Sequence, residues 1–324
     1  MKVKILVTGG AGNIGSALVE TLLKNENYFV VVTDDLSTGS IKNLPYQNSP
    51  ENFRFIRCDV NEYNEISPVM INLGFDYVFH YAATVGVQRT LNNPLKVLRD
   101  FEGVKNILNL SKNTGVKRIF FSSSSEVYGE PFEIPQHELS TPLNSRLPYA
   151  IIKNVAESFL RAYKQEYNLD YTIFRFFNTY SRKQTLDFVI PKFIQAALLN
   201  KDINIYGDGK QTRTFCYIDD NIDTTIKIME NNLFVNDTLN IGNDVEYTIY
   251  KLAKLIVELT GSNSKIVHFT ALKEGDMTRR KPDITKMKSV LNRDLIPLEE
   301  GLKDMIRFHI LQPVYEKQEK LNSF

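Results

Sequence analysis

The chain has 324 residues, 43% hydrophobic and 24% charged, enough apolar material for one large domain or two interlocked ones. Its 39 Lys and Arg nearly cancel 38 Asp and Glu to a net charge of +1, which argues against a general nucleic-acid binder, since that role needs a surplus of cations against phosphate. Two distant cysteines, Cys58 and Cys216, indicate neither a disulfide framework nor a zinc site. With no apolar run of membrane-spanning length and no signal-peptide pattern, the expectation is a cytoplasmic protein with no metal and no membrane partner.

In chain order, the first half alternates short β-branched runs with segments of helical period. Residues 2–8, 28–33, 53–57, 76–80, 116–122 and 170–176 read as strands. Strands alternating with helices imply βαβ units, so the fold class expected is α/β, a Rossmann-type doubly wound parallel sheet covered on both faces. Beyond residue 177 the elements become shorter and mixed: 188–200 reads as a helix, 203–206 as a strand, 206–209 as a turn, 252–259 as a helix, and the last thirty residues as a helix with a polar tail. No linker separates the halves. The division expected is 1–178 as a dinucleotide-binding unit, to which 214–242 returns, and 179–324 as a smaller interleaved α/β cap.

Between the first strand and the first helix lies Thr8-Gly9-Gly10-Ala11-Gly12-Asn13-Ile14-Gly15. Gly9 allows the tight turn, Gly12 lets backbone approach a pyrophosphate, and Gly15 lets the helix pack closely on the sheet. Asp34 closes the second strand, where a carboxylate accepts from both hydroxyls of an adenosine ribose and repels a 2′-phosphate, so the cofactor expected is NAD rather than NADP. Asp59, after the third strand, is a candidate for the adenine amino group, with a helix N-cap as the alternative.

Tyr149 and Lys153 stand four apart on one helix face. A phenol is a poor base at neutral pH, but an adjacent ammonium and a positive nicotinamide ring both favour phenolate, which can then take a proton from a sugar hydroxyl. The fifth strand ends in Ser122-Ser123-Ser124-Ser125-Glu126-Val127-Tyr128-Gly129. A hydroxyl there can orient the same substrate oxygen, and Glu126 can handle a proton at C5 of the sugar or face a carboxylate.

Together, TGGAGNIG at 8–15, DDLSTG at 34–39, HYAA at 80–83, SSSSEVYGEP at 122–131, PYAIIK at 148–153, FRFFNTY at 174–180, YGDGKQTRTFCYIDD at 206–220 and RRKPDITK at 279–286 resemble the extended short-chain dehydrogenase/reductase superfamily, in particular its NAD-dependent nucleotide-sugar epimerases, dehydratases and decarboxylases. The resemblance implies Tyr149 as base, Lys153 as its partner and NAD-ribose ligand, and Ser124 as the hydroxyl sharing the 4-OH. It implies Gly9, Gly12, Asn13, Ile14, Gly15, Asp34, Asp59, Val60 and Ala82 at the cofactor, and Ser125, Asn178 and Arg213 at a nucleotide-sugar substrate, with a UDP-sugar favoured. It also implies a homodimer through 95–113 and 149–167.

SSEVYGEP, QTRTFCY and RRKPDITK resemble UDP-glucuronate decarboxylases, whereas Val85-Gly86-Val87-Gln88-Arg89-Thr90 resembles the corresponding loop of UDP-sugar 4-epimerases. Decarboxylation therefore leads, with 4-epimerisation and then 4,6-dehydration as alternatives, and a non-catalytic NAD-binding regulator as the reading from another class. Asn13 departs from the family's usual aromatic and Tyr180-Ser181 from its Tyr-Gly.

Overall fold

A computed structural model describes residues 2–45, 50–86, 90, 92–270 and 279–311. From the N-terminus run β1 (Val3–Thr8), α1 (Asn13–Leu22), β2 (Tyr28–Asp34), β3 (Phe53–Arg57), α2 (Tyr63–Leu73), β4 (Tyr77–His80), α3 (Pro94–Thr114), β5 (Arg118–Ser124), a 3-10 turn at Ser125–Tyr128, α4 (Pro148–Tyr167) and β6 (Asp170–Phe176). The strand expected at 116–122 begins two residues later. Helix α3 ends on Gly115 in the left-handed region, and the N–H groups of Val116 and Lys117 are spent on Ser111 and Asp76 before the ladder starts.

There follow β7 (Thr179–Tyr180), α5 (Val189–Leu198), β8 (Ile203–Tyr206), β9 (Thr212–Thr214), β10 (Cys216–Tyr217), α6 (Ile218–Glu230), β11 (Asp237–Ile241), β12 (Glu246–Thr248), α7 (Ile249–Thr260), β13 (Ile266–Phe269), α8 (Thr285–Leu291) and α9 (Leu298–Leu311).

Seven strands form one parallel sheet in the order β11-β6-β5-β4-β1-β2-β3. The chain winds one way from β1 and then crosses to wind the other way from β4. Between those two strands the following loops diverge and leave a crevice at their carboxyl ends.

Alternation along the strands feeds two cores. Leu6, Val31, Val78, Ile119, Phe121 and Ile173 face α2, α3 and α4, whereas Ile5, Val7, Val30, Val32 and Leu239 face α1 and α6. On the second face Phe79 and Phe120 stack at 4.5 Å and 13°, and Phe120 and Phe174 at 6.0 Å, a ladder across β4, β5 and β6. The remaining strands pair as three small ribbons, β7 with β10, β8 with β13 and β9 with β12. Among the described residues no helix is long and apolar enough to cross a membrane.

Candidate active site

The carboxyl ends of β1, β2, β4, β5 and β6 open onto a cleft of about 350 Å³. Of the site residues expected from the sequence, Gly9, Gly12, Asn13, Ile14, Gly15, Asp34, Asp59, Val60, Ala82, Ser124, Ser125, Glu126, Tyr149, Lys153 and Asn178 all line it.

The glycine loop is tightly built. Gly9 has φ +66, and a Cβ there would lie 2.6 Å from the Ala82 nitrogen, so the loops after β1 and β4 touch backbone to backbone. A Cβ on Gly15 would lie 2.3 Å from the Gly9 carbonyl oxygen. Helix α1 starts at Asn13 behind Gly12, which has no side chain to cap it, so its first N–H groups face the cleft unclaimed by a cap.

Asp34 is held by the N–H groups of Ala11 at 2.9 Å and Leu36 at 2.8 Å, one to each oxygen, which leaves lone pairs on both oxygens for further donors. Burial raises its carboxyl pKa, and those two N–H groups counter the shift. A backbone cradle that any side chain would fill, an uncapped helix start and a fixed carboxylate at the second strand fit a dinucleotide with free ribose hydroxyls. Asp59 caps no helix: its Oδ1 accepts from the Asn61 N–H at 2.9 Å, and Arg99 stands 3.5 Å from its other oxygen.

Helix α4 starts on Pro148, pre-set for a first turn, and so brings Tyr149 and Lys153 to the cleft in its first two turns. Lys153 is buried, donates to the Ser122 carbonyl oxygen at 2.6 Å, and lies 4.8 Å from the Phe121 ring centroid and 5.7 Å from that of Tyr149. Burial lowers its pKa to about 8, against which Asp100 and Glu157 act. Burial also pushes the Tyr149 phenol up, and Glu126 and Asp100 push it further. Ser124 and Arg280 favour the phenolate.

The Ser124 hydroxyl accepts the Glu126 N–H at 3.1 Å and so closes the 3-10 turn that presents Glu126. Arg280 meets the Glu126 carboxylate at 3.0 Å, with both side chains largely shielded. The sequence reading gave Arg280 no role, although RRKPDITK contains it. Its signal was a cation in a motif of matching context.

Asn178, at φ +37, ties the end of β6 to β9 through a 3.0 Å bond to the Thr214 carbonyl oxygen. Arg213 is not among the residues lining the cleft. It is buried on β9, where the register sets it opposite Tyr247, and its guanidinium donates to the Thr212 carbonyl oxygen at 2.8 Å. Val85, Gly86 and Thr90 line the cleft, while Val87, Gln88 and Arg89 lie outside the described residues. The two departures from the family pattern meet each other, since the Ser181 hydroxyl donates to the Asn13 side-chain oxygen. That bond joins the glycine loop to the segment that follows β7.

The profile described as NAD dependent epimerase/dehydratase family matches residues 5–242. UDP-glucuronic acid decarboxylase 1 of Xenopus tropicalis is 35% identical over 313 residues, covering 94% of this chain and 72% of that protein. The UDP-N-acetyl-alpha-D-glucosaminuronate decarboxylase of Bacillus cytotoxicus is 35% identical over 322 residues, 95% of this chain and 98% of its own. Among solved structures, the UDP-glucose 4-epimerase of Thermotoga maritima with UDP-glucose superimposes with a TM-score of 0.89 at 32% identity, over 95% of this chain and 99% of that one.

Proposed function

The chain belongs to the NAD dependent epimerase/dehydratase family, and from that premise we propose that it takes a UDP-sugar through a 4-keto intermediate and decarboxylates UDP-glucuronate. The observation that carries this reading is the shielded Arg280 guanidinium on Glu126, in the cleft that Tyr149 lines. A neutral hexose offers that guanidinium no charge to pair with, whereas a sugar bearing a C5 carboxylate does. The two decarboxylases at 35% identity support it.

In this reading Gly9, Gly12, Asn13, Ile14 and Gly15 hold the pyrophosphate of NAD, Asp34 the adenosine ribose, Asp59 and Val60 the adenine end, and Ala82, Tyr149 and Lys153 the nicotinamide end. Bound there, NAD supplies an acceptor for the C4 hydride and gives the hydride back at the end of the cycle, so it is recycled. Tyr149 takes the proton of the 4-hydroxyl while Ser124 hydrogen-bonds the same oxygen, and the Lys153 ammonium favours the phenolate. A ketone at C4 makes the C5 carboxylate a β-keto acid. The bond from C5 to the carboxyl carbon then breaks, CO₂ leaves, and the electron pair moves onto the C4 oxygen, to which Tyr149 and Ser124 donate. A proton returns to C5 with Glu126 beside it. Ser125 faces the sugar and Asn178 the diphosphate, and the cap formed mainly by 179–324 closes over both.

A second reading is 4-epimerisation, in which the ketone turns and is reduced on its other face. The likeness to a UDP-glucose 4-epimerase and the place of Val85, Gly86 and Thr90 in the cleft favour it. Incubation with UDP-glucuronate, UDP-glucose, UDP-N-acetylglucosamine and GDP-mannose, followed by CO₂ release and sugar proton NMR, separates them. An NAD-loaded preparation that turns over a neutral sugar and releases no CO₂ from UDP-glucuronate rejects the first reading.

We assign a homodimer to the exposed apolar side chains Leu95 and Leu98 on α3 and Ile151 and Tyr167 on α4. Light scattering should give twice the 37.2 kDa chain mass. A cytoplasmic location accords with the free, buried thiols of Cys58 and Cys216.

A further inference from the structure

Asp100 is an acid of the cleft with no part in the chemistry above. Asp100 lies on α3, and its carboxylate accepts the Thr84 N–H at 2.6 Å and the Thr84 hydroxyl at 3.2 Å. Helix α3 packs along α4, so Asp100 and Thr84 line the same cleft as Tyr149 and Lys153. Both Thr84 donors are neutral and leave the charge of the carboxylate uncancelled. The other acid near Lys153 is Glu157, one turn further along α4. Its charge is met by Arg175 at 2.7 and 2.9 Å and by Arg161 at 3.0 Å. The negative field reaching Lys153 with least cancellation is therefore that of Asp100.

We propose that Asp100 is the counter-charge of the Lys153 ammonium, a positioning residue that acts on the Tyr149–Lys153 pair through space and is fixed for that task by Thr84. The inference rests on the reading of that pair as the proton-handling part of the site. The direct contacts of Lys153 are the Ser122 carbonyl oxygen, the Ser122 hydroxyl at 3.5 Å and two aromatic faces, none of them a full negative charge. Desolvation works against its ammonium, and Asp100 opposes that effect.

Of the other charged or titratable groups lining the cleft, Asp34 and Asp35 accept N–H groups of the loop after β2, and Asp187 accepts the Thr185 hydroxyl at 3.1 Å. His80 on β4 is held neutral, with a pKa near about 3. Glu126 and Arg280 are paired with each other. Arg99, one residue before Asp100 on α3, is turned to Glu62 and Asp59. Lys96 lines the cleft as a cation and adds no negative field. Burial raises the Asp100 carboxyl pKa, and the Thr84 N–H, the Lys153 cation, the Thr84 hydroxyl and Asn61 act against that rise.

The test reads Lys153 itself. With lysines labelled at ¹³Cε, the resonance lost in Lys153→Met identifies Lys153, and its shift is followed against pH. The midpoint of the wild-type chain should lie near about 8, and that of Asp100→Asn should fall by roughly half a unit to one unit, with Asp100→Glu moving it back. A midpoint that is unchanged or raised in Asp100→Asn overturns the proposal.

Should Asp100→Asn not fold, the reciprocal measurement leaves Asp100 untouched: in Lys153→Met the Asp100 ¹³Cγ resonance should titrate at higher pH than in the wild type, and no movement overturns the proposal equally. Neither readout needs turnover. Failure on every sugar nucleotide would therefore count against the proposed reaction alone, and unmoved midpoints against this inference alone.

Discussion

The Glu126 carboxylate and the Arg280 guanidinium meet at 3.0 Å, one from the turn that ends β5 and the other from the segment leading into α8. A pair so shielded is not a stabilising device by default, because desolvation offsets much of its attraction. Its effect on the phenol is asymmetric instead, since Glu126 raises the Tyr149 pKa and Arg280 lowers it. A substrate carboxylate that draws Arg280 toward itself changes that balance at the moment of binding.

Arg280→Gln should lower kcat/KM for CO₂ release from UDP-glucuronate by about 10²-fold, the usual scale for truncating one partner of a buried charge pair. Arg280→Lys should recover only part of the loss, because an ammonium lacks the planar fork that grips a carboxylate. An equal loss on UDP-glucose and UDP-glucuronate would remove the carboxylate role from Arg280.

Tyr149→Phe deletes one oxygen from the start of α4. Turnover of any accepted sugar nucleotide should fall by about 10³-fold or more, within the range for a missing general base. NAD affinity by fluorescence titration should change little, since the glycine loop and Asp34 are untouched. A variant that keeps its activity would shift the base to another group.

The sheet and the glycine loop were legible because their signals are local. Runs such as Ile5-Leu6-Val7 announce a strand buried on both faces, and Gly12 and Gly15 answer to the Gly9 carbonyl oxygen within a few residues of themselves, although Gly9 itself answers to the Ala82 backbone of the loop after β4. What escaped was set by contacts between distant segments. Arg280 follows Glu126 by over 150 residues, and only the return of the chain across β11 brings them together. Asp100 reads as one more polar position on a helix until Thr84 is seen to hold it. Arg213 stands on a recognised motif, and what the fold adds is its place on β9 opposite Tyr247, outside the residues that line the cleft.

Glu157 and Arg175 form a fully shielded pair beneath the site. The same glutamate accepts the Ser123 hydroxyl at 2.6 Å, and Arg175 donates to the Tyr128 oxygen at 2.9 Å and the Glu138 carbonyl oxygen at 3.1 Å. Glu157→Gln leaves a buried guanidinium unmatched and should cost about 3–5 kcal/mol in urea unfolding. Glu157→Met with Arg175→Met should cost less than the single change, and a larger loss in the double variant would show that the pair itself stabilises the fold.

Ser181 and Asn13 share one hydrogen bond between the segment after β7 and the glycine loop, and the Ser181 oxygen also accepts the Lys183 N–H at 3.1 Å. Removing one neutral bond is worth about 1 kcal/mol, so Ser181→Ala should speed NAD dissociation about fivefold in stopped flow. Asn13→Ala should do the same, and the double variant no more than either, because both delete one interaction. Additive effects would mean that the two side chains act on the cofactor separately.

His80, buried at the end of β4, gives the fold a pH dependence that can be worked out in sign. His80 Nδ1 shares a 2.8 Å hydrogen bond with the Thr8 hydroxyl, whose oxygen also accepts the N–H groups of Tyr81 at 3.2 Å and Ala82 at 3.3 Å. Burial and then Lys153 hold its pKa at about 3, against 6.5 for the free side chain. Between those values the unfolded chain binds the extra proton, so the contribution of His80 is complete above about pH 6.5 and is lost as pH falls toward about 3.

The slope is about 1.4 kcal/mol per pH unit, or about 2 kcal/mol between pH 6.5 and 5. Asp34, Asp100, Asp219 and Asp220, whose carboxyls burial raises, act in the opposite sense, and His309 in the same one. The difference between the chain and its His80→Gln variant isolates the one group. Urea unfolding at a series of pH values should therefore show the wild type losing its advantage over the variant as the solution is acidified. A constant gap from pH 7 to 5 would mean that His80 takes up its proton as readily in the native state as in the unfolded one.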